Sequence, residues 1–427
     1  MAIKRLSVSN FRAFADINVG FDNFNVLVGA NASGKTSLVQ IFRFIRDVAL
    51  FDLDNAVSLQ GGVKYLRNLR LGISTNFRVE MVTDQRFRLR VRRKPSSKVP
   101  PIVARTTELA YSLALGFKSR GPNFDIAEDR ITAKLDISRP SLRDARPSSE
   151  TEKLGNIELS VANVRGHLKA SANIPENLPI DAEDFLAPYL TDIKLPLHQT
   201  LAFSLPYFLY YLPMDRPSSD MLRTIGLYDF DPKLPKRAVQ ITGKAELDED
   251  ASNLALVLRN VIQDREKRRK FSNLLKDMLP FVEDLDVESF ADKSLLFKIR
   301  EQYYKREYLP ASLISDGTIT IAALIVALFF EAKELVIIEE PERNIHPSLI
   351  SKLVDMMKDA AKQKQILITT HSPELVKHAG IESLLLLSRN AEGFSTVSRP
   401  ADSEQVRSFL RDEIGVDELY AQRLLEA

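Results

Sequence analysis

Gly29-Ala30-Asn31-Ala32-Ser33-Gly34-Lys35-Thr36 reads G-x-x-x-x-G-K-T, and its flanks decide what it means. Phe24-Asn25-Val26-Leu27-Val28 before it is a short strand candidate. Ser37 to Ile45 after it carries apolar residues at helical spacing. Strand, glycine loop and helix in that order form a phosphate cradle, in which backbone N–H groups and a helix N-terminus converge on an anion. This assigns Gly29, Asn31, Ala32, Ser33, Gly34, Lys35, Thr36 and Ser37 to a nucleoside triphosphate site. Lys35 would reach the β- and γ-phosphates as a point charge, and the Thr36 hydroxyl would hold Mg²⁺. A plain glycine turn before an ordinary helix does not require all eight positions.

The chain has 427 residues, long for one domain, with 44% hydrophobic and 27% charged residues, as in a soluble globular protein. It has no cysteine, which excludes disulfides, zinc–thiolate sites and iron–sulfur clusters. Met1 to Leu6 opens no signal peptide, and the apolar stretch Ile319 to Phe330 is too short for a membrane span. The cytoplasm is the expected location. A net charge of +2 leaves nucleic-acid affinity to local patches. Arg86, Arg88, Arg90 and Arg92 alternate with Phe87, Leu89 and Val91, which on one strand would put four guanidinium groups on one face. Such a face suits a DNA backbone, although a charge run is more often a solvated surface. Lys267-Arg268-Arg269-Lys270, on a helix candidate, is a second patch.

Four segments are expected: 1–75 around the phosphate loop, 76–250 as a β-rich insert, 251–300 helical, and 301–427 alternating helix and strand. In the insert, Phe77–Val82 and Ile131–Ile137 alternate as antiparallel strands do, with breaks at Lys94–Ser97 and Arg146–Ser149. Tyr207–Leu212 reads as a buried strand. From Ala251 the apolar spacing becomes helical, and Lys270–Met278 extends it. In the last segment Gly317–Phe330 and Pro347–Met357 read as helices, and Leu335–Ile338 and Gln365–Thr370 as near-continuous aliphatic strands. Such strands between helices predict a parallel sheet covered on both faces, an α/β fold.

Glu339 and Glu340 follow an aliphatic strand, and ligands of parallel sheets lie outside the carboxyl ends of the strands. Glu339 would hold the Mg²⁺ shell; Glu340 would orient and deprotonate the water attacking the γ-phosphate. His371, ending the next strand, can sense that phosphate. His167, His198, His346 and His378 have weaker claims, and no H-E-x-x-H spacing exists to cage a metal.

The order of phosphate loop, carboxylate strand and histidine strand resembles the ABC-type head ATPases of the SMC/RecF/OLD group. Asn10-Phe11-Arg12 is similar to that group's N-F-R element, and Leu313-Ile314-Ser315-Asp316-Gly317-Thr318 to its signature motif. The resemblance implies a head with a parallel core sheet, an antiparallel β subdomain and a helical insert. It also implies that Arg12 touches the nucleotide, and that Ser315 and Gly317 grip the γ-phosphate held by a second subunit. The sequence departs from the ABC pattern at S-D-G-T, at Glu339 in place of an aspartate, and at His346 in place of the D-loop aspartate. These departures are closer to the single-chain OLD-like ATPases of bacterial anti-phage systems. The glutamine of the Q-loop has no clear place, Gln60 being a guess. The stretch after His371 is too short for the Toprim domain of OLD-type nucleases, so nuclease activity of this chain is not expected.

The resemblance thus implies an ATP- and Mg²⁺-dependent switch that dimerises head to head and acts with a separately encoded nuclease or toxin. A RecF-like DNA-binding ATPase and an assembly scaffold with slow turnover are the alternatives; a transporter ATPase fits S-D-G-T poorly.

Overall fold

Phe11 and Phe14 face each other across a two-residue turn, and the hairpin they close starts the chain. The computed structural model describes residues 2–90, 102–118, 123–143, 146–178, 180–181, 193–204, 222–243, 246–290, 293–304, 307–411 and 415–426. The elements used below are β1 (Ile3–Phe11), β2 (Phe14–Gly20), β3 (Phe24–Val28), α1 (Lys35–Phe51), α2 (Leu53–Leu59) and α3 (Val63–Leu66). There follow β4 (Phe77–Thr83), β5 (Arg88–Arg90), β6 (Val103–Phe117), β7 (Phe124–Arg143), β8 (Arg146–Val164), β9 (His167–Asn173) and β10 (Ile225–Tyr228). Then come β11 (Val239–Gln240), α4 (Leu254–Gln263), α5 (Arg265–Met278), β12 (Val282–Phe290), β13 (Ser294–Glu301) and β14 (Leu309–Pro310). The chain ends with α6 (Asp316–Phe329), β15 (Leu335–Glu339), α7 (Ile350–Ala360), β16 (Gln365–Thr369), α8 (Pro373–Ala379), β17 (Leu384–Arg389) and α9 (Val416–Ala421).

The chain divides into two units: Met1–Asp22, Thr36–Thr224 and Arg389–Val397 form the first, and Asn23–Lys35, Ile225–Ser388 and Ser398–Ala427 the second. The first is built on an antiparallel sheet in the order β2-β1-β4-β6-β7-β8-β9, with β5 also paired to β6. The period-2 pattern of Phe77–Thr83 turns Phe77, Val79 and Met81 inward and leaves Arg78 outside. Phe44 of α1 meets Phe77 edge-on at 5.4 Å, and Phe77 lies 5.8 Å from Phe11. Burying each such ring contributes about 1.5–3 kcal/mol.

The second unit holds a parallel sheet in the order β10-β15-β16-β3-β17. β3 and β16 are buried at every position, as their aliphatic runs require when both faces are covered. α6 is buried from Thr318 to Leu328 on all sides, which explains why its apolar residues show no single face. An antiparallel sheet, β11-β13-β12 with β14 on β13, completes the unit.

The structure corrects four expectations. The segment 251–300 is helical only as far as Met278, since Val282–Phe290 and Ser294–Glu301 form the antiparallel strands β12 and β13. The helix expected from Ala251 is two helices, because Asp264 is extended and its carboxylate caps α5 by accepting from Glu266 and Lys267 N–H. The Pro/Ser break at Arg146–Ser149 is instead the start of β8, where Arg146 and Pro147 pair with Arg143 and Leu142. The arginine strand starts later than expected: β5 begins at Arg88, and Arg86 precedes it. Arg92, Lys94–Ser97 and Tyr207–Leu212 lie outside the described residues. Among the described residues no helix is long and apolar enough to cross a membrane.

Candidate functional site

β15, β16 and β3 are adjacent and parallel, so their carboxyl ends lie on one edge of the sheet. Three segments far apart in sequence therefore meet: the turn at Glu340, the Thr370-His371 end of β16, and the glycine loop after β3. The loop has the backbone its glycines predict. Gly29 and Gly34 have φ of 152° and 115°, and Ala32 takes a left-handed φ of 61°. A Cβ on Gly29 would sit 2.3 Å from the Leu387 carbonyl oxygen, so no other residue fits there without moving the loop.

Lys35 opens α1 and is only 8% exposed. Its ammonium donates to the Gly29 and Ala30 carbonyls at 2.7 and 3.1 Å, filling its own loop. Burial lowers its pKa, and the nearby Glu340 carboxylate partly opposes that shift. Asn31, Ala32 and Thr36 are exposed, while Ser33 and Gly34 are buried beneath them. Thr36 and Ser37 fall in the first unit, the division running just after Lys35.

Glu340 adopts a left-handed φ of 45°, costly for a residue with a Cβ and typical of functional turns. Its N–H donates to the Thr369 carbonyl at 2.9 Å. Its Oε2 accepts from Arg343 Nη2 at 2.9 Å, and Arg343 also reaches Asp229 at 3.1 Å. Oε1 is left facing His371 Nε2 at 3.9 Å. Burial and Lys35 lower the His371 pKa against the pull of Glu340, which favours the neutral imidazole. Glu339, half-buried, stands in register with Thr369. The Thr36 hydroxyl and the Glu339 carboxylate are hard oxygen donors, the kind Mg²⁺ takes alongside water and phosphate oxygens.

Ser315 caps α6: its Oγ lies 2.8 Å from Thr318 Oγ1 and accepts from Thr318 N–H at 3.3 Å. Gly317 lies so close to the turn after β15 that a Cβ would come within 2.6 Å of the Asn344 carbonyl oxygen. Lys236 pairs with Asp316 at 2.6 Å. His346 caps a short 3₁₀ turn by accepting from Ser348 N–H.

Arg12 belongs to the first unit and has a φ of 43°. Asn10 and Asn68 hold its turn in place. Asn68 N–H donates to Asn10 Oδ1 at 3.0 Å, and Asn68 Nδ2 donates to the Arg12 carbonyl at 2.7 Å. The guanidinium donates to Gln60 Oε1 at 2.7 Å, and burial lowers its pKa. Arg12, Ser37 and Gln60 line a cavity of about 610 Å³ with Arg67, Arg70 and Arg389. Sequence reasoning missed Arg343, Asp229, Glu342 and Asn68; only the acidic and basic residues just after Glu340 offered a local signal.

Known proteins match parts of this chain. The chain is 28% identical over 99 residues to the Septu protein PtuA of Bacillus thuringiensis, covering 22% of this chain and 25% of that protein. It is 56% identical over 41 residues to the DNA replication and repair protein RecF of Actinobacillus succinogenes, covering 9% of this chain and 12% of that protein. The chain thus spans a quarter or less of the length of these relatives. Among solved structures, the SMC head bound to the C-terminal winged-helix domain of ScpA aligns with a TM-score of 0.46 at 14% identity, covering 93% of this chain and 98% of that one. The SMC head domain from Thermotoga maritima gives 0.42 at 12%, covering 93% and 99%. A family model, AAA domain, putative AbiEii toxin, Type IV TA system (AAA_21), matches residues 24–377, from the strand before the phosphate loop to beyond His371. With most of its length matched, including the loop, the carboxylate strand and the histidine strand, the chain belongs to this family.

Proposed function

We propose that this protein is an ATP-binding and ATP-hydrolysing switch. The observation that carries the reading is the meeting of Lys35, Glu340 and His371 at the carboxyl ends of three adjacent parallel strands. On nucleotide binding, Lys35 exchanges its two loop carbonyls for phosphate oxygens, and the loop N–H groups complete the anion cradle. Arg343 fixes one oxygen of Glu340, leaving the other to orient a water for in-line attack on the γ-phosphate. Neutral His371 offers that phosphate a hydrogen bond without a competing charge. The Thr36 hydroxyl and the Glu339 carboxylate would each offer Mg²⁺ an oxygen donor, and the ion would neutralise charge on the phosphates.

Two copies close head to head, with Ser315 and Gly317 of one completing the nucleotide site of the other. Hydrolysis removes the bridging phosphate and releases the pair. The local likeness to PtuA supports an anti-phage role as sensor for a separately encoded effector, a nuclease or toxin. Glu340→Gln should trap the closed state: light scattering should give twice 48.2 kDa with ATP and 48.2 kDa without it. Equal masses in both conditions contradict the closure.

The likeness to RecF and the arginines of β5 favour one second reading, a DNA-binding ATPase of repair.

A further inference from the structure

Glu342 is the third carboxyl of Glu339-Glu340-Pro341-Glu342, and the steps above give it no role. Its surroundings are built with some care. Thr370 is fully buried at the end of β16. Its Oγ1 accepts from the Ser372 N–H at 2.9 Å, so its own proton goes to Glu342 Oε1, with which it is hydrogen-bonded. The His371 backbone N–H is directed at the same carboxyl. Glu342 Oε2 is buried and has no hydrogen-bond partner. On its other side the Glu342 carbonyl accepts from Ile345 N–H at 3.0 Å, within the turn that starts at the left-handed Glu340. The carboxyl thus bridges two backbone segments: the turn that carries Glu340 and the strand end that carries His371.

Burying a carboxyl is unfavourable. Its pKa is raised by that burial and by the neighbouring Glu340 charge, against the stabilising bonds from Thr370 and His371. Tyr420, on α9, lies beside the Gly29 N–H and feels the Glu342 charge, so the last helix meets the same cluster at the phosphate loop. A surface turn would not need this arrangement. A device for holding two reacting side chains at a set separation would, because a displacement of about 1 Å can cost ~10²-fold in rate.

We propose that Glu342 is a positioning residue, whose carboxyl bridges Thr370 and the His371 backbone and thereby holds His371 at its distance from Glu340. It touches neither nucleotide nor water; it acts through His371. The proposal rests on the ATPase reading for its kinetic consequence but not for its structural one. Thr370 donates to the carboxyl and the His371 N–H is directed at it, so a neutral amide oxygen can replace it.

The test uses the full chain and reads turnover, nucleotide affinity and the His371 ring separately. Glu342→Ala should lower kcat about 10- to 100-fold while the dissociation constant for a fluorescent ATP analogue stays within about threefold. Glu342→Gln should restore kcat to within about threefold of the parent, and Thr370→Val should reproduce the loss. In protein labelled with ¹⁵N-histidine and free of nucleotide, the His371 ring resonances should move in Glu342→Ala and return in Glu342→Gln. Turnover of Glu342→Ala within twofold of the parent overturns the proposal, as does a Gln variant as slow as the Ala variant. Lys35→Ala, assayed in parallel, separates the two claims: unchanged turnover there condemns the ATPase reading. The His371 resonances then decide the role of Glu342 alone, and an unmoved ring in Glu342→Ala overturns it.

Discussion

Asp129 lies in the first unit, nine-tenths buried on β7, and replacing it by Asn should relieve a pH-dependent cost. Its Oδ2 accepts from Leu201 N–H at 2.8 Å and Asn163 Nδ2 at 3.1 Å, tying the Lys194–Ser204 stretch to the long hairpin. The Tyr111 hydroxyl lies beside the carboxyl, and neither it nor Oδ1 completes a well-formed hydrogen bond. Burial, the dominant cause, raises the pKa from 3.8 to about 7 in spite of the bonds from Leu201 and Asn163. The folded pKa is raised above the unfolded one, so the stability is present below pH ~4 and is lost as the pH climbs through 7. The difference of about 3 pKa units corresponds to about 4 kcal/mol lost across that range. In Asp129→Asn the amide oxygen takes the place of Oδ2 and the NH₂ faces Tyr111, so the anchor survives without the titration. Hydrogen–deuterium exchange of peptides covering 193–204, corrected for the intrinsic pH dependence, reads the local opening. Parent protection should fall between pH 5 and pH 8, and that of Asp129→Asn should stay level. Parallel pH dependence in the two proteins, or a variant less protected at pH 8, would refute the reasoning.

Two further outcomes follow from the site. Gly317→Ala would push a methyl group to within 2.6 Å of the Asn344 carbonyl, so the turn after β15 must move. ATP turnover in that variant should fall about 10-fold or more, and parental turnover would show that the signature turn and the Glu340 turn are not coupled. If β5 meets a DNA backbone, changing Arg88 and Arg90 together to Ala should weaken DNA binding and lower its salt slope by about 2. An unchanged slope in a fluorescence-anisotropy titration would remove DNA from that strand.

Much of the site was legible because its chemistry sits in contiguous motifs. Gly29–Thr36 names its own backbone, and Leu335–Ile338 and Gln365–Thr369 announce buried parallel strands by their aliphatic runs. The strand order that places β16 between β15 and β3 was not legible, since the pairing of β16 with β3 joins residues as distant as Ile366 and Phe24. Nor was the bond from Arg343 to Asp229, which depends on where the turn after β15 ends. The Asn10–Asn68 interlock behind Arg12 joins a hairpin to a loop with no pattern in either. The break between α4 and α5 was within reach: Asp264 followed by Glu266 is a cap signal, but the continuous apolar spacing on both sides obscured it.

The central claim is that Lys35, at the carboxyl edge of the parallel sheet, serves ATP. Measuring steady-state ATP hydrolysis by the purified chain and its Lys35→Ala variant, with Mg²⁺ present, tests it most directly. Loss of the one buried ammonium of the loop should lower turnover by about 10²-fold or more, with unchanged secondary structure by circular dichroism. Equal turnover by the two proteins would contradict the account.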